Sequence, residues 1–153
     1  MSDEMTMAPD VTLPRDGGEM VRLADLRPSK VVLFFYPRDD TSGCTKEAIA
    51  FSALKADFEA AGAQIFGISK DSVASHDKFV AKHDLSVALL SDEGADISES
   101  FGVWKEKKMY GKTFMGIERS TFLIDGEGCI AKAWRKVKVP GHAEEVLQAV
   151  RDL

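Results

Sequence analysis

Apolar and polar positions along most of this chain follow a strand–helix rhythm. The apolar and aromatic run Val31 to Tyr36 predicts a strand buried on both faces, ended by Pro37, which cannot donate to a ladder. Asp39 to Gly43 are turn and helix-capping types, and beyond them Ala48, Phe51, Leu54 and Phe58 have the spacing of one helical face. A helix therefore starts at about Cys44 and runs to about Gly62, where a second buried strand, Gln64 to Ser69, takes over. Asp71 and Ser72 can cap a helix reaching about His83; Val87 to Leu90 reads as a short strand, and a short helix after Asp92 and Glu93 ends at Gly102. Upstream, Asp10 to Leu13 and Glu19 to Leu23 predict a hairpin around Asp16, Gly17 and Gly18. Val103 to Gly116, with Trp104 and Tyr110, has no regular period. Ser120 to Ile124 and Ile130 to Lys138 predict two further strands, joined through Asp125 to Gly128. Ala143, Val146, Leu147 and Val150 line one face of a closing helix that starts at Gly141 or His142. Strands alternating with helices, then a hairpin and a helix, describe an α/β sandwich on a mixed sheet.

Composition narrows the function classes. At 153 residues, 44% hydrophobic and 29% charged, the chain is expected to form one domain over 1–153 with a core of its own. A net charge of -5 with scattered lysines and arginines offers no extended basic surface, so neither nucleic acid nor a membrane is an expected partner. The dense basic patch Lys105 to Lys108 reads as a solvated loop or helix end. The start MSDEM carries no basic region leading into an apolar stretch, and a cytoplasmic location is expected. Two cysteines without a CxxC or a Cys/His cluster argue against a disulfide scaffold or a zinc site, and no cofactor is expected.

One of those cysteines stands in unusual company. Most free cysteines are small buried hydrophobes. Cys44, by contrast, is preceded by polar turn residues and followed by Thr45 and Lys46, which puts it in the first turn of a helix. Unpaired backbone N–H groups and the positive end of the helix dipole converge there, and both favour a thiolate.

Pro37, three residues, Thr41, two residues and Cys44 together match the active-site pattern of the peroxiredoxins. The longer string YPRDDTSGCTKEA resembles their bacterioferritin comigratory protein (peroxiredoxin Q) branch. APDVTLPRDGGEMVRLADL at 8–26, GISKDS at 67–72, LLSD at 89–92, RSTFLIDGEG at 119–128 and GHAEEVL at 141–147 resemble the same branch in the same order. The resemblance implies a thioredoxin-like fold and a thiol-dependent peroxidase acting on hydrogen peroxide and organic hydroperoxides, commonly as a monomer. It assigns the peroxidatic role to Cys44. The Thr41 hydroxyl then hydrogen-bonds in the active site, Pro37 shields the thiolate from water, and Arg119 supports sulfur and peroxide. Arg119 opens the strand RSTFLID, where it could reach a loop at the end of a neighbouring strand. Glu47 matches an acidic position that orders the active-site loop, and His142 a structural cap of the last helix. Asp39 and Asp40 are read as turn formers at the positive end of the Cys44 helix.

The chain departs from the pattern in the second half of the cycle. Many members of the branch carry a resolving cysteine in CTxEAC, where this chain has Ile49, and others carry it in the next helix, where this chain has none. Cys129 follows a hairpin turn at a position with no such role in the family. The expectation is a one-cysteine mechanism: Cys44 becomes a sulfenic acid, and an external thiol such as thioredoxin, glutaredoxin or glutathione regenerates it. Two other readings stay open. A disulfide exchanger would need CxxC, but Glu47 fills the second position; a redox sensor or binding module would be oxidised without turning over.

Overall fold

The computed structural model describes residues 6–153. Strands β1 (Thr12–Pro14) and β2 (Met20–Arg22) pair antiparallel, and the 3-10 helix Leu23–Leu26 follows directly. The hairpin thus forms, but its second arm ends before Leu23, which turns inward to the core. The main sheet contains β3 (Lys30–Phe35), β4 (Ala63–Ser69), β5 (Ala88–Ser91), β8 (Ser120–Ile124) and β9 (Ile130–Trp134), ordered β5-β4-β3-β8-β9. β3, β4 and β5 run parallel, while β8 is antiparallel to both β3 and β9. This is the mixed sheet of a thioredoxin-like fold.

The period of two in β3 divides the interior. Val32, Phe34 and Tyr36 face one core with Phe51, Phe58, Phe79, Val146 and Leu147; Val31, Leu33 and Phe35 face the other with Phe66, Phe101 and Phe122. The first core lies under helices α1 (Ser42–Ala53), α2 (Lys55–Ala60), α3 (Val73–His83) and α5 (His142–Asp152). The second is closed by the amino-terminal hairpin and α4 (Ile97–Ser100). Phe34 stacks on Phe51 at 4.6 Å and 14°, which seats α1 over the centre of the sheet.

Three expectations need correction. The helix following Cys44 is not continuous to Gly62: it breaks at Leu54 (φ -101, ψ 4), beside Ser52, whose hydroxyl accepts from the amides of Ser86 and Val87. β9 ends at Trp134 rather than Lys138, because Lys136 adopts a left-handed conformation (φ 53) that no strand continues. The irregular stretch is a hairpin, β6 (Trp104–Met109) with β7 (Lys112–Ile117), turning through Tyr110 (φ 51) and Gly111 (φ 76). Its side chains are largely exposed, so no buried face imposes an alternating pattern, and Gly111 is the local turn signal the sequence offers.

Gly67 pairs with Phe34 on one side and Leu89 on the other, and a Cβ there would stand 2.7 Å from Phe34 Cζ and 2.8 Å from Leu89 Cδ2. Gly67→Ala should therefore cost about 1–3 kcal/mol through overpacking, read by urea denaturation. An unchanged midpoint would show that the core yields there freely.

Candidate active site

Cys44 is the third residue of α1 and is buried. Thr41 occupies the position before the helix, and the first helical hydrogen bond runs from Thr45 N–H to the Thr41 carbonyl at 2.9 Å. No side chain caps this turn, so the helix start stays open toward the thiol. The exposed Thr41 hydroxyl donates to the Arg38 carbonyl at 3.0 Å, a contact within the loop rather than to the sulfur. Pro37, half-buried, turns the chain out of β3 into that loop.

The antiparallel register places Arg119. Phe35 pairs with Ser120, so the residue before β8 lies at the carboxyl end of β3, where the Cys44 loop begins. Arg119 donates from Nη2 to Cys44 Sγ at 3.2 Å and from Nη1 to Glu47 Oε1 at 2.7 Å. Gly43 leaves room for the fork, since a Cβ there would lie 3.2 Å from Nη2. The Arg119 side chain is only 16% exposed. Burial disfavours its charge, but Glu47 and Cys44 outweigh that and hold it above the ordinary arginine range.

Glu47 lies one turn beyond Cys44 and is buried. Its Oε2 has no hydrogen-bond partner. Burial pushes its carboxyl up to about 7, and the pull of Arg119 in the other direction only partly offsets this. Glu47 therefore steers the guanidinium while resisting its own ionisation.

Several arrangements here were not legible beforehand. Asp39 and Asp40 do more than form a turn: Asp39 contacts Tyr36, Ser75 and His76, and Asp40 accepts from Lys82 Nζ at 2.6 Å and lies 2.8 Å from His83 Nε2. Lys107, in a patch read as solvated, is half-buried with its stem over Gly116. Burial and the neighbouring Arg119 charge pull its ammonium below the ordinary lysine range, with Cys44 opposing. The His142 side chain does not cap α5. Gly141 precedes the helix in a left-handed conformation, and the buried imidazole meets Thr121 Oγ1 at 2.8 Å. Burial, with Arg119 adding to it against Glu144 and Glu145, lowers its pKa.

Cys129 stays apart from the site. Ser120 marks the site end of β8 and Ile124, paired with Val31, the opposite end; Cys129 lies past the turn at that far end, with Sγ 3.5 Å from Met7 Sδ. The strand alone separates the two ends by about 14 Å. Ile49, at the alternative resolving position, is 45% exposed on α1. Among the described residues no cluster of His, Cys, Asp and Glu could hold a metal ion, and no helix is long and apolar enough to cross a membrane.

Residues 5–133 match the model of the AhpC/TSA family. The chain is 51% identical over 140 residues to a putative peroxiredoxin Bcp of Coxiella burnetii, covering 92% of this chain and 93% of that protein. It is 50% identical over 146 residues to peroxiredoxin Bcp of Bacillus subtilis, covering 95% and 93%. A variant of Xanthomonas campestris peroxiredoxin Q superposes with a TM-score of 0.92 at 46% identity, over 99% of each chain. The bacterioferritin comigratory protein of the same organism, whose solved structures concern its alkyl peroxide reduction activity, superposes with a TM-score of 0.88 at 47% identity, over 93% of this chain and 90% of that one.

The buried Glu47 makes a prediction about pH. Its folded-state pKa lies above the ordinary value of 4.5, so the native state holds the proton more tightly than the unfolded chain does. The associated stability is fully present below about pH 4.5 and is lost as pH rises through about 7. Relative to Glu47→Gln, which cannot titrate, the parent should weaken by on the order of 3 kcal/mol between those limits, measured by denaturation at pH 4.5 and 8. Parallel stability profiles would mean that Glu47 titrates alike in the folded and the unfolded chain.

Proposed function

The chain belongs to the AhpC/TSA family and is a peroxiredoxin of the bacterioferritin comigratory protein branch, a thiol-dependent peroxidase, and we propose that Cys44 is its peroxidatic thiol. The observation that carries this assignment is the 3.2 Å contact from the Arg119 guanidinium to Cys44 Sγ at an uncapped helix start. A positive side chain and open backbone amides at one sulfur stabilise the thiolate that attacks a peroxide, and the charge that develops on the leaving oxygen.

In this reading the Cys44 thiolate attacks the near oxygen of the O–O bond. A sulfur–oxygen bond forms, the O–O bond breaks, and the leaving oxygen departs as hydroxide or alkoxide and takes a proton to become water or an alcohol. The sulfur is oxidised to sulfenic acid by two electrons and the peroxide is reduced by two. An external thiol condenses with the sulfenic acid, releasing water and forming a mixed disulfide; a second thiol then restores Cys44. Arg119 orients the sulfur and the peroxide, Pro37 screens the loop side from water, and Thr41 presents its hydroxyl at the exposed mouth. Glu47 holds the guanidinium in place.

Residues 1–153 act as one domain, supported by two cores that share a single five-stranded sheet. Cys44, Glu47 and Arg119 come from one chain, which suits a working monomer. The two free cysteines suit the reducing cytoplasm, where thioredoxin, glutaredoxin or glutathione can serve as the reductant.

Following peroxide loss with thioredoxin and its reductase, with a glutathione system or with dithiothreitol tests the assignment. Multiple turnovers are expected from the parent and from Cys129→Ser, none from Cys44→Ser. Mass spectrometry after one equivalent of peroxide should show sulfenic acid without an intramolecular disulfide. Turnover by Cys44→Ser would remove its role; a Cys44–Cys129 disulfide together with an inactive Cys129→Ser would make the mechanism a two-cysteine one.

A further inference from the structure

The loop that carries Cys44 is held on its other side by a charge pair that the peroxide chemistry does not use. Asp39 lies in the turn between β3 and α1, and its carboxylate accepts from Tyr36 Oη at 2.6 Å and Ser75 Oγ at 2.7 Å. His76 Nδ1 stands 2.7 Å from the same carboxylate, and His76 Nε2 stands 2.9 Å from the Leu90 carbonyl in β5. The ring is fully buried in α3. Carboxylate and carbonyl only accept, so both ring nitrogens donate, and only an imidazolium has both protons. The Asp39 amide in turn donates to Asp71 Oδ2 at 2.8 Å, which also accepts from Ser69 Oγ at 2.6 Å. Two strand ends and α3 thereby close on one loop residue five positions before Cys44.

We propose that His76 is a positioning residue for peroxide reduction: through Asp39 its imidazolium fixes the loop so that Cys44 stays in register with Arg119. This rests on the reading of Cys44 as the peroxidatic thiol. His76 and the sulfur share no contact, and the coupling runs along the loop backbone from Asp39 into the first turn of α1. Removing a buried partner leaves Asp39 with a charge that Tyr36 and Ser75 alone must satisfy, so the loop loses its single seating.

The groups facing the ring set the direction of its pH response. Asp39 and Asp71 are the charged ones; Tyr36, Ser75 and the Leu90 carbonyl are neutral. Burial, followed by Asp39, raises Tyr36 well above its ordinary pKa, so it stays a donor. Burial disfavours the imidazolium, but Asp39, Leu90 and Asp71 outweigh it and hold His76 above the ordinary histidine value. The pin is therefore fully present below that ordinary value and is lost as pH rises through the higher folded-state value. A neutral ring must give up either Asp39 or Leu90.

Rapid-quench mass spectrometry of Cys44 sulfenic acid formation, in parent, His76→Leu, Asp39→Asn and the double variant from pH 6 to 9, tests this. Each single variant should react roughly tenfold to a hundredfold more slowly than the parent at pH 6 to 7, the range for a modestly misplaced reacting group. The ratio to parent should narrow as pH rises, and the double variant should be no slower than the slower single one, since both remove one interaction. A ratio constant across pH, losses that multiply in the double variant, or His76→Leu at the parent rate near neutrality would each overturn the proposal. If circular dichroism shows His76→Leu unfolded, Asp39→Asn decides, and its reaction at the parent rate near neutrality overturns it equally. A parent that does not react with peroxide overturns the peroxidase reading itself; a reacting parent matched by the variants overturns only the positioning role.

Discussion

Arg119 donates one nitrogen to Cys44 Sγ and the other to Glu47, and this fork forms only if β8 enters beside β3 in the observed register. A shift of one residue would turn the β8 side chains to the opposite faces of the sheet and carry the guanidinium away from the loop. The register is in turn secured by burial on both faces: Phe122 belongs to one core and Leu123 to the other. The sheet interior thus sets the position of a charge at its rim. Glu47 completes the arrangement by occupying the other arm of the fork from within α1, so strand and helix are tied beside Cys44 Sγ.

That arrangement carries a cost in polar satisfaction. A carboxyl at the buried side of α1 with one oxygen unpartnered is expensive, and burial shifts its titration toward neutrality. A hydrophobic residue at 47 would pack more cheaply but would leave Arg119 without the partner that orients it. Opposite it, the Asp39 and His76 pair holds the loop against α3, and the next residue, Asp40, in a left-handed conformation (φ 60), reaches Lys82 and His83. Cys44 lies between these two sets of charges.

The legible part of this design is the part written in local pattern. The buried run before Pro37, the polar turn and the apolar spacing from Ala48 onward place Cys44 at a helix start, and β8 occupies the predicted Ser120–Ile124. Arg119 is legible only through the family pattern, not through any spacing between residues so distant in sequence. The pairing of Asp39 with His76 is not legible in the sequence, because it depends on how α3 lies over the sheet and an Asp in a turn reads as a turn former. The β6–β7 hairpin is hidden for a different reason: with most of its side chains exposed and Tyr110 97% exposed at its tip, it has no buried stripe to betray it. The break at Leu54 likewise lies beside tertiary contacts of Ser52 that helical spacing cannot encode.

A fixed planar fork, rather than a positive charge alone, organises the Cys44 sulfur, and Arg119→Lys isolates that distinction. Lysine keeps the charge but cannot make two divergent contacts in one rigid plane. Stopped-flow measurement of Cys44 oxidation under single-turnover conditions should show Arg119→Lys slowed by roughly tenfold to a thousandfold, the range for losing an oriented donor at a developing charge. Oxidation at the parent rate would show that a point charge suffices and that the planar fork does not matter.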